Sequence, residues 1–95
     1  MIPDAYIEVR FRTAEEGGRK TPVTGEFYAC PLFIDGEAYD CRLLIKNMNL
    51  ELGRSYEVPI KFLSRDLAVP KLFIGKNVVL WEGKDVADGK VTKII

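Results

Sequence analysis

The stretch Phe27-Tyr28-Ala29-Cys30-Pro31-Leu32-Phe33-Ile34-Asp35-Gly36-Glu37-Ala38-Tyr39-Asp40-Cys41 decides the fold. Its first eight residues are aromatic, branched or small and apolar, and they end at Asp35-Gly36, the dipeptide best suited to the two positive-φ positions of a type I′ hairpin turn. A two-residue loop also fixes the register. It sets Ile34 opposite Glu37, Leu32 opposite Tyr39 and Cys30 opposite Cys41. The Ile34–Glu37 pair is then the first hydrogen-bonded one, so Pro31 falls opposite Asp40 at a non-hydrogen-bonded position, where its missing N–H costs nothing to that partner.

Working outward, Ala5, Ile7, Val9 and Phe11 alternate with Glu8, Arg10 and Arg12, the period of a half-buried strand. Glu15-Glu16-Gly17-Gly18 must then be a loop, and Pro22 restarts the chain in an extended conformation. Past Leu44, Asn47-Met48-Asn49 reads as a second loop. Gly53 leads into another alternating strand in which Tyr56, Val58, Ile60 and Phe62 share a face and Pro59 marks an edge or a bulge. Val69 to Ile74 is an apolar run broken by Pro70 and closed by Gly75-Lys76-Asn77. Val78 to Trp81 and Val91 to Ile95 form a last hairpin around Gly83 to Gly89. Six or seven short strands without a sustained helical period predict an all-β barrel or sandwich.

The 95 residues make one domain, 1–95, able to bury roughly 60 to 65% of its unfolded surface. Fourteen basic and fourteen acidic side chains cancel, so no global field draws the protein to nucleic acid or membrane, and a polyanion site has to be a local patch. No apolar run approaches the roughly 20 residues that span a bilayer, and Met1-Ile2-Pro3-Asp4 has neither the basic nor the apolar part of a leader. The expectation is a cytoplasmic protein without membrane contact. With no histidine, and two cysteines eleven residues apart, neither a metal site nor a cofactor is expected.

Glu15-Glu16-Gly17-Gly18-Arg19-Lys20-Thr21-Pro22, answered near the end by Glu82-Gly83-Lys84 and Gly89-Lys90-Val91-Thr92-Lys93-Ile94, resembles the C-terminal β-barrel domain of elongation factor Tu. In that family the early loop reads Glu-Gly-Gly-Arg-His-Thr-Pro, and here Lys20 stands for the histidine. The resemblance covers nearly the whole chain and implies a small antiparallel six- to seven-stranded β-barrel of the translation-factor kind. It further implies a surface for structured RNA, held in the family through the Gly-Gly-Arg-His-Thr loop and the terminal glycine. On this chain Arg19, Lys20, Thr21 and Gly83 inherit those positions. The family's Gly-Tyr-Arg-Pro-Gln-Phe stretch is replaced by Gly25-Glu26-Phe27-Tyr28-Ala29-Cys30-Pro31, and the second arginine of its terminal Arg-Glu-Gly-Gly-Arg is absent.

No Gly-x-x-x-x-Gly-Lys-Ser/Thr is present, so nucleotide binding and GTP hydrolysis are not expected. A nucleophile would need a lysine or carboxylate as its base, and the acids Asp35, Glu37 and Asp40 crowd a hairpin where turn chemistry already explains them. The expectation is no enzyme. Arg10, Arg12, Arg19 and Lys20 on one edge could track a phosphate backbone, or form a solvated face interleaved with Glu8, Glu15 and Glu16. Gly17 and Gly18 serve either a ligand's approach or a turn folding back on the barrel. Cys30 and Cys41 are a redox pair or two core-filling thiols, and Trp81 is a core or rim aromatic or a stacking platform. Two functions compete: a non-catalytic module contacting structured RNA or a translation factor, and a protein-binding regulatory or immunity-type domain without RNA affinity.

Overall fold

The computed structural model describes residues 2–95. It holds strands β1 (Ala5–Phe11), β2 (Tyr28–Ile34), β3 (Glu37–Leu43), β4 (Ser55–Phe62), β5 (Asn77–Trp81) and β6 (Asp85–Ile94), with a short helix α1 (Arg65–Ala68) and a 3-10 turn (Val69–Lys71) between β4 and β5. The six strands close into an antiparallel barrel in the order β1-β4-β3-β2-β5-β6. Closure leaves no free sheet edge, and inward residues from every strand fill one core.

The β2–β3 hairpin has the register that its turn dictates, with Ile34 opposite Glu37, Pro31 opposite Asp40 and Cys30 opposite Cys41. Asp35 and Gly36 take φ of 50° and 81°, as a type I′ turn requires. Both cysteines are buried free thiols. Burial pushes the Cys30 thiol up to about 12 against the opposing pull of a Trp81 backbone N–H, and burial likewise raises Cys41. Both thiols belong to the buried core.

Two prolines limit how far neighbouring ladders run. Pro31 turns its backbone toward β5, and the β2–β5 ladder, Phe33 with Val79 and Leu32 with Leu80, stops where Pro31 would have to donate. Pro59 accepts a bond of 2.9 Å from the Leu44 N–H but cannot return one, and the β3–β4 ladder ends at the preceding pair, Leu43 with Ile60. Strand β4 is therefore no edge, contrary to the sequence expectation, since it pairs with both β1 and β3. Its proline is tolerated because it lies at the end of a ladder.

The last hairpin also departs from expectation. Its turn is only Glu82–Lys84, with Gly83 at φ 72° and the Glu82 N–H donating to the Lys84 carbonyl at 2.8 Å. Strand β6 already begins at Asp85 because the register shifts there: Trp81 pairs with Asp85 but Leu80 with Ala87, leaving Val86 as the extra residue. Val86 and Ala87 are both buried, which hides the alternation. Gly89 is a strand residue, flanked by Val9 and Val78, and a methyl group there would lie 3.0 Å from Val78 Cγ2 and 3.4 Å from the Glu8 carbonyl.

Asp4 fastens the seam between these strands and is 3% exposed. Its carboxylate accepts bonds from the Phe62 N–H and from Arg65 Nε, both at 2.9 Å, with Lys61 Nζ at 3.4 Å. Its own N–H donates to Ile60 and its carbonyl accepts from Ile95, so one residue ties the start of β1 to the ends of β4 and β6.

Candidate functional site

The loop after β1 is built by its own hydrogen bonds. The N–H groups of Glu16 and Gly18 donate to the Thr13 carbonyl, and the Glu16 carboxylate accepts from the Thr13 N–H at 2.8 Å. Gly17 supplies the positive φ of 85°. Gly18 is buried against the preceding strand, where a methyl group would sit 2.2 Å from the Arg12 carbonyl oxygen. Both glycines thus serve a turn that folds back on the barrel.

Three of the four cations expected on this edge are spoken for. Arg10 pairs with Glu16 at 3.1 Å and donates to the Gly53 carbonyl. Arg12 holds Asp88 through two bonds of 2.9 and 2.7 Å, and this contact raises the arginine and lowers the carboxyl from their ordinary values. The Thr13 backbone N–H, helped by Arg10, holds Glu16 below the usual carboxylate range. The Arg19 guanidinium pairs with Glu82, its Nε donates to the Thr21 carbonyl at 3.2 Å, and it lies 5.6 Å from the Tyr28 ring centre. The Tyr28 hydroxyl donates to the same Glu82 carboxylate. Among the described residues Lys20 alone of the four has no ion partner.

The Arg19–Glu82 pair, spanning 63 positions of sequence, brings the Gly17–Thr21 loop to the Gly83 turn. Lys20, Thr21 and Gly83 are exposed at that junction, while Arg19 is half-buried in it. The four residues named from the sequence therefore share one neighbourhood. Among the described residues no three acids or cysteines converge as metal ligands.

A second surface was not read from the sequence. The outward residues of β2 are Ala29, Pro31 and Phe33, continuing the line of exposed Phe27, so this strand is apolar on both faces. Trp81, 39% exposed, leans on Phe33 with ring centres 6.4 Å apart, a rim aromatic. Beside them Asp40 and Arg42 point outward from β3, Arg42 lying 4.7 Å over the Phe27 ring. Leu63, just past β4, is 82% exposed. A depression of about 560 Å3 on the β2–β3–β4 sheet is lined by residues of all three strands, among them Ala29, Pro31, Asp40, Arg42, Lys61 and Leu63. The signal was present in the eight-residue apolar run from Phe27 to Ile34, because a strand with one face in water alternates and a strand covered on both faces does not.

No family model matches this chain, and none of the curated proteins matches it.

Proposed function

We propose that this barrel is a non-catalytic binding module that engages a protein through the outward face of β2 and β3. The observation that supports this most directly is the apolar column Phe27, Ala29, Pro31 and Phe33 beside the depression at Leu63. Soluble domains keep contiguous exposed apolar surface mainly where something docks, and a concave patch beside exposed aromatic side chains has the anatomy of an interface centre. The test is a pull-down from native extract with and without nuclease, using wild type and Leu63→Glu. The expected result is nuclease-insensitive capture that Leu63→Glu abolishes. Capture lost on nuclease treatment, or retained by Leu63→Glu, counts against this face.

One observation favours a second reading, in which the barrel resembles the elongation factor domain in function and contacts structured RNA or a translation factor. The clasp between Arg19 and Glu82 joins the two segments that carry the resemblance and presents Lys20, Thr21 and Gly83 together. Because Arg10, Arg12 and Arg19 are already paired with carboxylates, few cations remain to displace counterions, and the salt dependence would be shallow. A gel shift with tRNA at low salt tests it. Binding weakened by Lys20→Ala alike across RNA sequences supports it, since backbone contacts carry no base information. Absence of binding removes it.

A further inference from the structure

We propose that the occupant of the β2–β3–β4 face is a second copy of this chain, in a two-fold symmetric dimer. The inference rests on the reading of that face as a protein-binding surface and names its partner. A two-fold interface must be complementary to itself, so each feature on the patch has to find its counterpart on the same patch. Here it does. Leu63, 82% exposed, lines the depression, so in a face-to-face two-fold pair it lies within the contact on both copies.

The charges follow the same rule. Asp40 and Arg42 lie two positions apart on one face of β3, opposite Pro31 and Ala29 in the lining of the depression, and among the described residues neither has an ion partner. Lys61, the remaining charge at the rim, is directed to Asp4. The patch is therefore neutral, with one free anion and one free cation, and antiparallel apposition pairs Asp40 of each copy with Arg42 of the other.

Two global properties agree. The formal net charge is zero, so no long-range repulsion keeps copies apart. The barrel measures 35 × 27 × 21 Å, and one broad side can supply the roughly 800 Å2 per partner that a standard interface buries. The short outward residues Ala29 and Pro31 let a second sheet approach to the roughly 10 Å spacing of packed sheets.

Sedimentation velocity of the full chain at about 100 μM, above the micromolar Kd of a weak interface of this size, tests the inference. Wild type is expected to be dimeric. Asp40→Arg and Arg42→Asp, each alone, set like charges against each other twice and are expected to weaken association at least about tenfold. Mixed one to one, the two variants regain opposite charges at both contacts and should form a heterodimer. Leu63→Glu should be monomeric, with circular dichroism confirming that the barrel is intact.

A monomeric wild type overturns the proposal, as do single variants that stay dimeric or a mixture that fails to recover. The extract pull-down separates this failure from that of the broader reading. A monomeric protein that still loses its captured partner in Leu63→Glu retains a protein-binding face for another protein, whereas capture unaffected by Leu63→Glu removes that reading too.

Discussion

On the β1–β6 side of the barrel the outward residues include Glu8, Arg10, Asp88 and Lys90, and the arginines of that side are closed into ion pairs with Glu16 and Asp88. On the β2 side they are Ala29, Pro31 and Phe33, and among the described residues the neighbouring Asp40 and Arg42 have no ion partner. The ladders differ in the same sense. Strand β1 pairs along its length with both β4 and β6, whereas β2 shares only two residue pairs with β5 and β3 only three with β4. On the first side the two arginines are paired and β1 is laddered along its length on both flanks. The other keeps its hairpin register but has short ladders to its neighbours and an apolar outward strand, the features on which the proposed docking face rests.

The strongest way to break this comparison is to truncate one side chain on each side. Ile7 on β1 is fully buried, and Ile7→Ala should cost about 2–5 kcal/mol in urea unfolding. Leu63→Ala should change stability by no more than about 0.5 kcal/mol while weakening self-association. A large stability loss at Leu63 would mean that its side of the barrel is already complete.

Next in size is the Asp4 seam. Burial alone would raise this carboxyl, but the Phe62 N–H, Arg65 and Lys61 together hold it below its ordinary value. A depressed folded value means that its stabilisation is present above the unfolded value and is lost as pH falls through the folded one. Asp4→Ala should cost about 1–3 kcal/mol at neutral pH, the range for a lost charge-assisted hydrogen bond and the donors it strands. The variant should also show a flatter stability profile below about pH 4. Melting curves between neutral and acid pH measure both, and an unchanged acid limb would remove Asp4 as the fastener.

Gly36→Val probes the hairpin on the opposite side. A branched residue at φ 81° should destabilise the protein by about 1–2 kcal/mol without touching the core, since no atom lies within reach of the added carbon. A neutral result in thermal melts would argue against the turn type. The smallest effect belongs to the charged face. Breaking the exposed Arg12–Asp88 pair with Asp88→Ala should cost under about 1 kcal/mol, less in high salt, and a denaturant titration at two salt concentrations checks it.

Much of the fold was legible because it is local. The alternation of Ala5, Ile7, Val9 and Phe11 states which face is buried without reference to any other strand. Asp35-Gly36 fixes its register because a two-residue turn leaves only one way for its flanks to pair. The neighbourhood of Arg19, Lys20, Thr21 and Gly83 followed from resemblance, but the Glu82 carboxylate that neutralises Arg19 lies 63 positions away, and no local pattern announces it.

What only the tertiary structure decided is how non-adjacent strands meet. Closure in the order β1-β4-β3-β2-β5-β6 determines that Pro31 and Pro59 end their ladders without lying on edges, and that a register shift buries the consecutive Val86 and Ala87. It also determines which charges find partners and which apolar residues stay outside. The sequence states each strand's preference for water on one face, two residues at a time. Which preferences are met depends on contacts between distant segments, and those exist only once the barrel has closed.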